Sequence, residues 1–237
     1  MYEDWADELG LSEAESVRAV DQGLTALRRY QQARRNEARL ALETVQREKR
    51  LAIVVLARPY HNDPGINQGI LEQFQKRGYP ILTHDALPLE DDIIQPLFGA
   101  EVAAGGISSP FSIDDVWKNT FAENSSRKLW AAKFVARHPH LVGLELSNFK
   151  CGHDAPTYAV IEEIFECSGR PFFYFKDIDE NRPAGTIKLR VETIAYFLDR
   201  YRERMVAADF KMPRPTVGTP QRARYEDEEM DAELSAV

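Results

Sequence analysis

The stretch that decides the fold is "LAIVVLA", which runs from Leu51 to Ala57. It is apolar throughout and rich in β-branched side chains, as expected for a strand that is buried on both faces of a parallel sheet. Three later runs also have strand character: "YPILTHDAL" (79–87), "HLVGLEL" (140–146) and "PFFYFKD" (171–177). Helical patterns separate these runs. The alternation predicts an α/β fold, a Rossmann-like three-layer domain with a mostly parallel sheet.

The segments between the strands carry apolar residues at helical spacing. The predicted helices are 65–78, most of 111–139, 155–169 and 185–205. In the first two, the side chains expected to face the core are Ile66, Ile70, Leu71, Phe74, Trp117, Phe121, Leu129, Trp130, Phe134 and Val135. Residues 103–110, "AAGGISSP", have the composition of a loop that could approach a ligand.

An amphipathic segment without proline precedes the first strand, over residues 11–49. Apolar residues recur there at intervals of three and four: Val17, Val20, Leu24, Leu27, Ala38, Leu42 and Val45. The pattern predicts a helical arm made of one helix or two. The arm either packs on the following domain or forms an interface with another chain. We therefore divide the chain into an arm (1–49), the α/β domain (50–205) and an acidic tail (206–237) that is disordered or held by a partner.

The composition excludes several classes of protein. A chain of 237 residues that is 43% hydrophobic can bury a proper core, and its net charge of -8 argues against general binding of nucleic acid. No apolar run is long enough to span a membrane, and the acidic N-terminus does not resemble a signal peptide. Two cysteines are too few for a disulfide framework, so we expect a reducing cytoplasm.

Polar residues follow each predicted strand, where ligands bind in open α/β sheets. All four turns are expected to share one rim of the sheet. The candidates to line it are Arg58, Tyr60, His61, Asn62, Asp85, Lys150, Cys151, His153, Asp154, Asp177, Asp179 and Glu180. The turn after the first strand is equally consistent with a rigid Pro/Asn/Gly connection.

The turn "SNFKCGHDAP" (147–156) holds one of the two cysteines. Asp154 is expected to cap the helix that begins near Ala155, with Pro156 at an early helical position. Cys151 precedes a glycine at a helix entrance, a setting in which a cysteine serves as a metal ligand or a nucleophile. A zinc site formed by Cys151, His153 and a rim acid is one alternative. Cys167, near a helix end, is expected to be a small apolar filler. The common nucleotide, hydrolase and zinc motifs are missing from the sequence.

Three blocks together resemble a known family: "VVLARPYHNDPGINQGI" (54–70), "NTFAENSSRKLWAAKFVARHPHLVGLELSNFKCGHDAPTYAVIEEI" (119–164) and "FKDIDENRPAGTIKLRVETIAYFL" (175–198). The chain is similar to the C-terminal segment of the large CoA-substrate-specific enzyme activases. These form the activase-related branch of the 2-hydroxyacyl-CoA dehydratase and benzoyl-CoA reductase superfamily. The resemblance extends from about residue 20 to residue 205.

The resemblance implies a component of an acyl-CoA dehydratase or reductase system that passes low-potential electrons through an iron–sulfur cluster. Cys151 lies in the family's Cys-Gly-x-Asp-Ala block and is expected to bind the metal. The residues expected to bind the cofactor beside it are Arg58, Tyr60, His61, His153, Asp154, Asp179 and Glu180. A 4Fe–4S cluster takes about four thiolates, so cysteines outside this chain would complete it.

The expected partners are other subunits or domains of an activase or dehydratase assembly, or a second copy in a homodimer. Neither nucleic acid nor a membrane is expected as a partner. Two alternatives stay open. One is a scaffold or regulatory module that has lost the cluster, and the other is a site for an acyl-CoA or another phosphate-bearing ligand at the helix entrances.

Overall fold

The computed structural model describes residues 5–6, 8–120, 122–148, 151–178 and 184–208. Its sheet has the strands β1 (Ala52–Leu56), β2 (Ile81–Thr83), β3 (Leu141–Asn148) and β4 (Phe172–Ile178). The strands are parallel and lie in the order β2-β1-β3-β4. Ile53 of β1 stands between Ile81 of β2 and Val142 of β3. The predicted parallel sheet is confirmed, and the long apolar run forms one of its two central strands.

Helices cover both faces of this sheet. They are α1 (Glu13–Arg47), α2 (Ile70–Lys76), α3 (Asp91–Ala103), α4 (Glu123–Arg137), α5 (Ala155–Ser168) and α6 (Ala184–Ala207). Helices α2 and α6 pack over Ile53 and Val55 on one face, while α3, α4, α5 and the end of α1 cover Ala52 and Val54 on the other. This arrangement confirms the three-layer α/β fold. No helix within the described ranges is both long and apolar enough to cross a bilayer.

The predicted helix over 111–139 begins later than expected. Helix α4 starts at Glu123, and residues 111–120 form turns and bends. The Ser112 hydroxyl accepts a hydrogen bond from the N–H of Asp114 at 3.2 Å, and such local bonds compete with helix formation. Trp117 is only partly buried, and Phe121 lies outside the described residues.

The predicted helix over 65–78 is also shorter than expected. Gln68 and Gly69 both have positive φ, so the helix cannot begin before Ile70. Ile66 therefore does not face the core and is 36% exposed, which makes that prediction wrong. Ile70 and Phe74 are fully buried as predicted, and Leu71 is partly buried against the same cluster.

Helix α3 was not predicted from the sequence. It contains Pro96 and Gly99, two residue types that disfavour helix interiors, and its N-cap residue Glu90 makes no side-chain capping bond. The helix is instead stabilised by tertiary packing, since Ile94 and Phe98 are fully buried in the core.

The arm is a single helix of 35 residues. Ser12 and Glu15 form a capping box at its start, in which the Ser12 hydroxyl accepts from the Glu15 N–H. In its second half Ala38, Leu42 and Val45 are buried against the α/β domain. Leu24 and Leu27 in the first half are 47% and 49% exposed. Packing on the domain thus accounts for only half of the apolar stripe.

The proposed division at residues 49 and 205 stays a prediction, and residues 209–237 of the expected tail lie outside the described ranges.

Charged pairs hold the arm against the domain beside the rim. Arg34 donates to both carboxylate oxygens of Asp85, with distances of 2.7 and 3.0 Å, and also to Thr83. Further along, Arg39 pairs with Asp92 at the start of α3. Burial acts to raise the pKa of Asp85, but the hydrogen bonds from Arg34 and Thr83 lower it to about 2.

The ion pair of Arg34 and Asp85 should make part of the free energy of unfolding depend on pH. Because the folded-state pKa of Asp85 lies below its usual value of 3.8, its contribution is complete well above that value and is lost as the pH falls from about 4 to about 2. We expect Asp85→Asn to lower the free energy of unfolding by up to about 2 kcal/mol at pH 7. The difference from the parent should vanish in acid, as measured by denaturant titrations across this pH range. Asp92→Asn, which alters a more exposed pair, is the control and should have the smaller effect. A pH-independent loss in Asp85→Asn would contradict this account.

One glycine of β3 is required by close packing. A Cβ at Gly143 would fall well inside the contact distance of the Phe165 ring, which stacks on Phe172 with ring centroids 4.6 Å apart. Helix α5 can therefore approach the sheet only because residue 143 has no side chain.

We expect Gly143→Ala to lower the free energy of unfolding by about 1–3 kcal/mol, because the added methyl group overpacks this contact. Gly23→Ala is the control. It lies inside α1 with nothing near its Cβ position, and it should raise the free energy of unfolding by up to about 1 kcal/mol. Thermal and denaturant unfolding measure both effects. A Gly143→Ala variant as stable as the parent would show that the helix can shift without cost.

Candidate functional site

The candidate site lies where the chain changes direction in the sheet. From β1 the chain runs to β2 on one side, and β3 lies on the other side of β1. Such a point opens a crevice beyond the carboxyl ends of the two central strands. Arg58 follows β1, and Asp154 lies between β3 and α5, so both predicted residues reach this crevice. Their side chains meet, with Arg58 Nε 2.9 Å from Asp154 Oδ1.

Asp154 is the centre of a buried group of charges. Its side chain is fully buried, and Oδ1 also accepts from Lys128 Nζ at 3.0 Å. The other oxygen, Oδ2, accepts from the Ser147 hydroxyl at 3.0 Å. Lys128 in turn donates to Glu145 Oε1 at 2.9 Å. We call Arg58, Lys128, Glu145 and Asp154 the buried ion cluster.

Lys128 and Glu145 were not predicted as site residues. Both are fully buried, one in α4 and the other in the middle of β3. For Glu145 the signal is a single charge inside an otherwise apolar run, "HLVGLEL", whereas Lys128 lies beside Arg127 at the polar edge of its run and carries no such signal. Charged side chains are almost never fully buried unless they are paired, so the isolated charge of Glu145 required a partner.

The expected role of Asp154 as a helix cap is wrong. It occupies the N-cap position of α5, but its side chain makes no capping hydrogen bond. Both carboxylate oxygens are instead taken by Arg58, Lys128 and Ser147. The expected early proline is present in the first turn of α5.

Further polar residues close the cluster on the α4 and α5 sides. Arg58 donates to Asn124 Oδ1 at 2.9 Å and to the Ser125 hydroxyl at 3.1 Å. The Tyr158 hydroxyl donates to Ser147 at 2.7 Å. The guanidinium is therefore fixed in orientation by partners from α4 and from the turn before α5.

The two carboxylates differ in their electrostatic surroundings. Burial raises the pKa of Glu145 more than its pairing with Lys128 lowers it. Burial also acts to raise the pKa of Asp154, but Lys128, Arg58 and Ser147 outweigh it and lower the pKa. Within the part of the chain that the structure describes, Glu145 Oε2 has no hydrogen-bond partner. Asp154 is thus the firmly ionised member of the cluster, and Glu145 is the one that retains a proton more readily.

Tyr60, His61 and Cys151 lie next to the cluster. The rings of Tyr60 and His61 are 4.6 Å apart between centroids. Burial, followed by the nearby Cys151 and Asp154, raises the pKa of Tyr60 to about 12. His61 is fully buried, and neither of its ring nitrogens has a hydrogen-bond partner among the described residues. Burial lowers the pKa of His61, which favours a neutral imidazole.

Cys151 is half-buried in the turn that links β3 to α5. Its N–H donates to Asn148 O, and its carbonyl accepts from the N–H groups of Asp154 and Ala155, all at 3.0 Å. Residues 151–155 are therefore held by backbone bonds as well as by the buried Asp154 side chain.

Other predicted residues do not join this group. His153 and Asn62 are exposed, and Asp85 is engaged by Arg34 of the arm. Lys150, Asp179, Glu180 and the side chain of Asp177 lie outside the described residues.

The donor set was tested against a metal or a cluster. In the described part of the chain no three His, Cys, Asp or Glu side chains lie close enough together to hold a metal ion. The zinc site of Cys151, His153 and a rim acid is therefore not assembled there. A cubane cluster needs about four ligands, and this rim supplies one half-buried thiol. The described residues fit a single ligand and do not fit a complete cluster site.

The fold and its rim define a Rossmann-like α/β protein with a docked helical arm. Residues 1–87 match the family model described as the CoA enzyme activase uncharacterised domain (DUF2229). The match spans the arm, β1, α2 and β2, includes Arg58, Tyr60 and His61, and supports membership of the chain in the CoA enzyme activase family. The resemblance expected from the sequence is confirmed over these residues. No curated protein and no solved structure matches the chain.

Substitutions in the buried ion cluster should show that the carboxylates of Asp154 and Glu145 differ in how firmly they are ionised. Asp154→Asn leaves Arg58 and Lys128 without their common anion, and we expect it to lower the free energy of unfolding by about 3–5 kcal/mol. Glu145→Gln is the matched control and should cost less than half as much, because Glu145 more readily holds a proton. Denaturant unfolding at pH 7 measures both. Equal losses in the two variants would mean that Glu145 is as firmly ionised as Asp154.

Proposed function

We propose that this chain is a module of a CoA enzyme activase system whose rim contributes the Cys151 thiolate to a shared iron–sulfur centre. The observation that carries the proposal is the half-buried Cys151 thiol, which lies near Tyr60 and whose backbone carbonyl accepts from the N–H of Asp154 in the buried ion cluster. The family match supports the activase part of the proposal. When bound, an iron–sulfur cluster would accept and release the low-potential electron that acyl-CoA dehydratases and reductases require.

The chain's own residues would hold and tune the Cys151 ligand. Asp154 is anchored by Arg58 and Lys128, and its N–H donates to the backbone carbonyl of Cys151. The Tyr60 side chain lies close enough to Cys151 to interact with it electrostatically. Hydrogen bonds and charges around a ligating sulfur set the redox potential of a cluster.

The remaining ligands would come from another polypeptide. Cys167 is an exposed free thiol near the far end of α5, so the expectation that it fills a small apolar space is wrong. Twelve residues of helix separate it from Ala155, a distance of about 18 Å along the helix axis, so it cannot bind the same cluster. A dehydratase-type subunit of the same assembly is the partner that the family supports, and a second copy of this chain is the other source of a thiolate. Both arrangements require the reducing cytoplasm expected from the sequence.

A second candidate function is a scaffold or regulatory module without a cluster. The half-exposed Leu24 and Leu27 on the free half of α1 favour it, because neighbouring apolar side chains on one helix face are suited to a protein partner. The single cysteine at the rim is equally consistent with this function.

Iron analysis of the assembled protein distinguishes the two functions. The full chain is purified under anaerobic conditions from cells that also produce its partner, and iron and acid-labile sulfide are quantified beside a visible spectrum. We expect both elements in the parent, their loss in Cys151→Ser, and their retention in the matched control Cys167→Ser. All three proteins should have the same circular dichroism spectrum.

Two outcomes would overturn the iron–sulfur proposal. An iron-free parent in its assembled state would leave the scaffold function. Iron retained in Cys151→Ser would show that any cluster is bound elsewhere.

A further inference from the structure

A cavity of about 300 Å³ lies beside β2, between the arm and α4. We call it the arm cavity. Its lining residues come from the arm, the end of β2, the turns before α4 and α4 itself: Arg35, His84, Asp85, Leu87, Leu89, Phe111, Ile113, Glu123, Ser126, Arg127 and Trp130. The volume is at the lower end of the range for small-molecule sites, and the position outside a strand end is where α/β folds bind ligands.

Most of one wall is apolar and is held in place. The rings of Phe111 and Trp130 lie 5.8 Å apart, and the Trp130 indole donates to Pro110 O at 3.0 Å. Lys133 donates to Ser112 O at 2.8 Å and fixes the turn that carries Phe111 and Ile113. The chain's own contacts therefore hold the apolar wall in place.

The charged groups of the arm cavity leave one cation uncompensated. Asp85 is engaged by Arg34, and Arg127 pairs with Glu123 of its own helix. Burial lowers the pKa of His84 to about 4, so this side chain is neutral at pH 7. Arg35 has no carboxylate partner among the described residues, and its Nε is buried without a hydrogen bond. An unpaired donor on a guanidinium at a cavity wall requires an acceptor.

We propose that the arm cavity binds a small organic monoanion with an apolar body. The carboxylate or equivalent group accepts hydrogen bonds from Arg35, and the apolar body contacts Leu87, Phe111 and Trp130. The start of α4 lies at the same wall through Glu123 and Ser126, so the positive end of its dipole adds to the attraction for an anion. This site is separate from Cys151, and the proposal does not depend on an iron–sulfur centre.

A ligand in this position would contact both the arm and the α/β domain. Arg35 belongs to α1, whereas the apolar wall belongs to the domain. Binding should therefore stabilise the docked arm and raise the melting temperature with ligand concentration, as for any ligand that binds only the folded state.

Hexanoate is a suitable probe, with hexanamide as its neutral counterpart and hexylammonium as its cationic one. Binding is followed through the indole N–H resonance of Trp130 and by calorimetry. We expect saturable binding of hexanoate with a Kd at or below about 1 mM, and much weaker binding of the other two compounds.

Two variants locate the site. Arg35→Gln removes the uncompensated charge and should weaken hexanoate binding by at least about tenfold, since hydrogen bonds to charged groups contribute about 1.5–3 kcal/mol. Arg29→Gln, at an exposed position of the same helix, is the matched control and should bind hexanoate as the parent does. Ile113→Trp fills the cavity from the domain side and should abolish binding while the circular dichroism spectrum is unchanged.

The proposal is overturned if hexanamide binds as tightly as hexanoate, or if none of the probes shifts the Trp130 resonance. It is also overturned if hexanoate binding survives in both Arg35→Gln and Ile113→Trp. If Arg35→Gln does not fold, Ile113→Trp alone decides, because it leaves the arm contacts intact.

Discussion

The carboxylate of Asp154 is the constraint on which the candidate site depends. It accepts from Arg58 after β1, from Lys128 in α4 and from Ser147 at the end of β3. These donors come from three separate segments, and Asp154 itself begins α5. A buried anion is tolerated only when such donors surround it, so the position of each of these elements is tied to the others. Cys151 is tied to this carboxylate's segment as a consequence, because its carbonyl accepts from the N–H groups of Asp154 and Ala155.

Two neighbouring regions lie along the rim: the arm cavity, and the buried ion cluster beside Cys151. A chain of hydrogen bonds runs between them. His84, which lines the arm cavity, lies 3.3 Å from Asn124 Nδ2, and Asn124 Oδ1 accepts from Arg58 at 2.9 Å. Arg58 then contacts Asp154 and the Cys151 side of the rim. The arm helps to form the arm cavity, since Arg34 and Arg35 of α1 approach the end of β2. The residues matched by the family model include both the arm and the Arg58 turn.

Much of the fold could be predicted because its signals are local. The apolar run of β1 and the alternation of strand and helix patterns identify a parallel sheet without any long-range information. Helix α3 could not be predicted in this way, since Pro96 and Gly99 oppose its formation and only the burial of Ile94 and Phe98 stabilises it. The late start of α4 could not be predicted from local signals either. Hydrogen bonds made by Ser112 and Lys133 fix the turns that precede this helix.

The sequence by itself determined the fold class, the common edge for the polar turns, and the presence of Arg58, Asp154 and Cys151 at that edge. Only the tertiary structure decided which of these side chains meet. Asp154 could have capped its helix, and it binds Arg58 and Lys128 because folding buries it where two cations lack an anion. Lys128 and Glu145 became members of the buried ion cluster in the same way. A charge acquires its role from the partners and the solvent that surround it in space, and these are properties of the packed structure that neighbours along the chain do not specify.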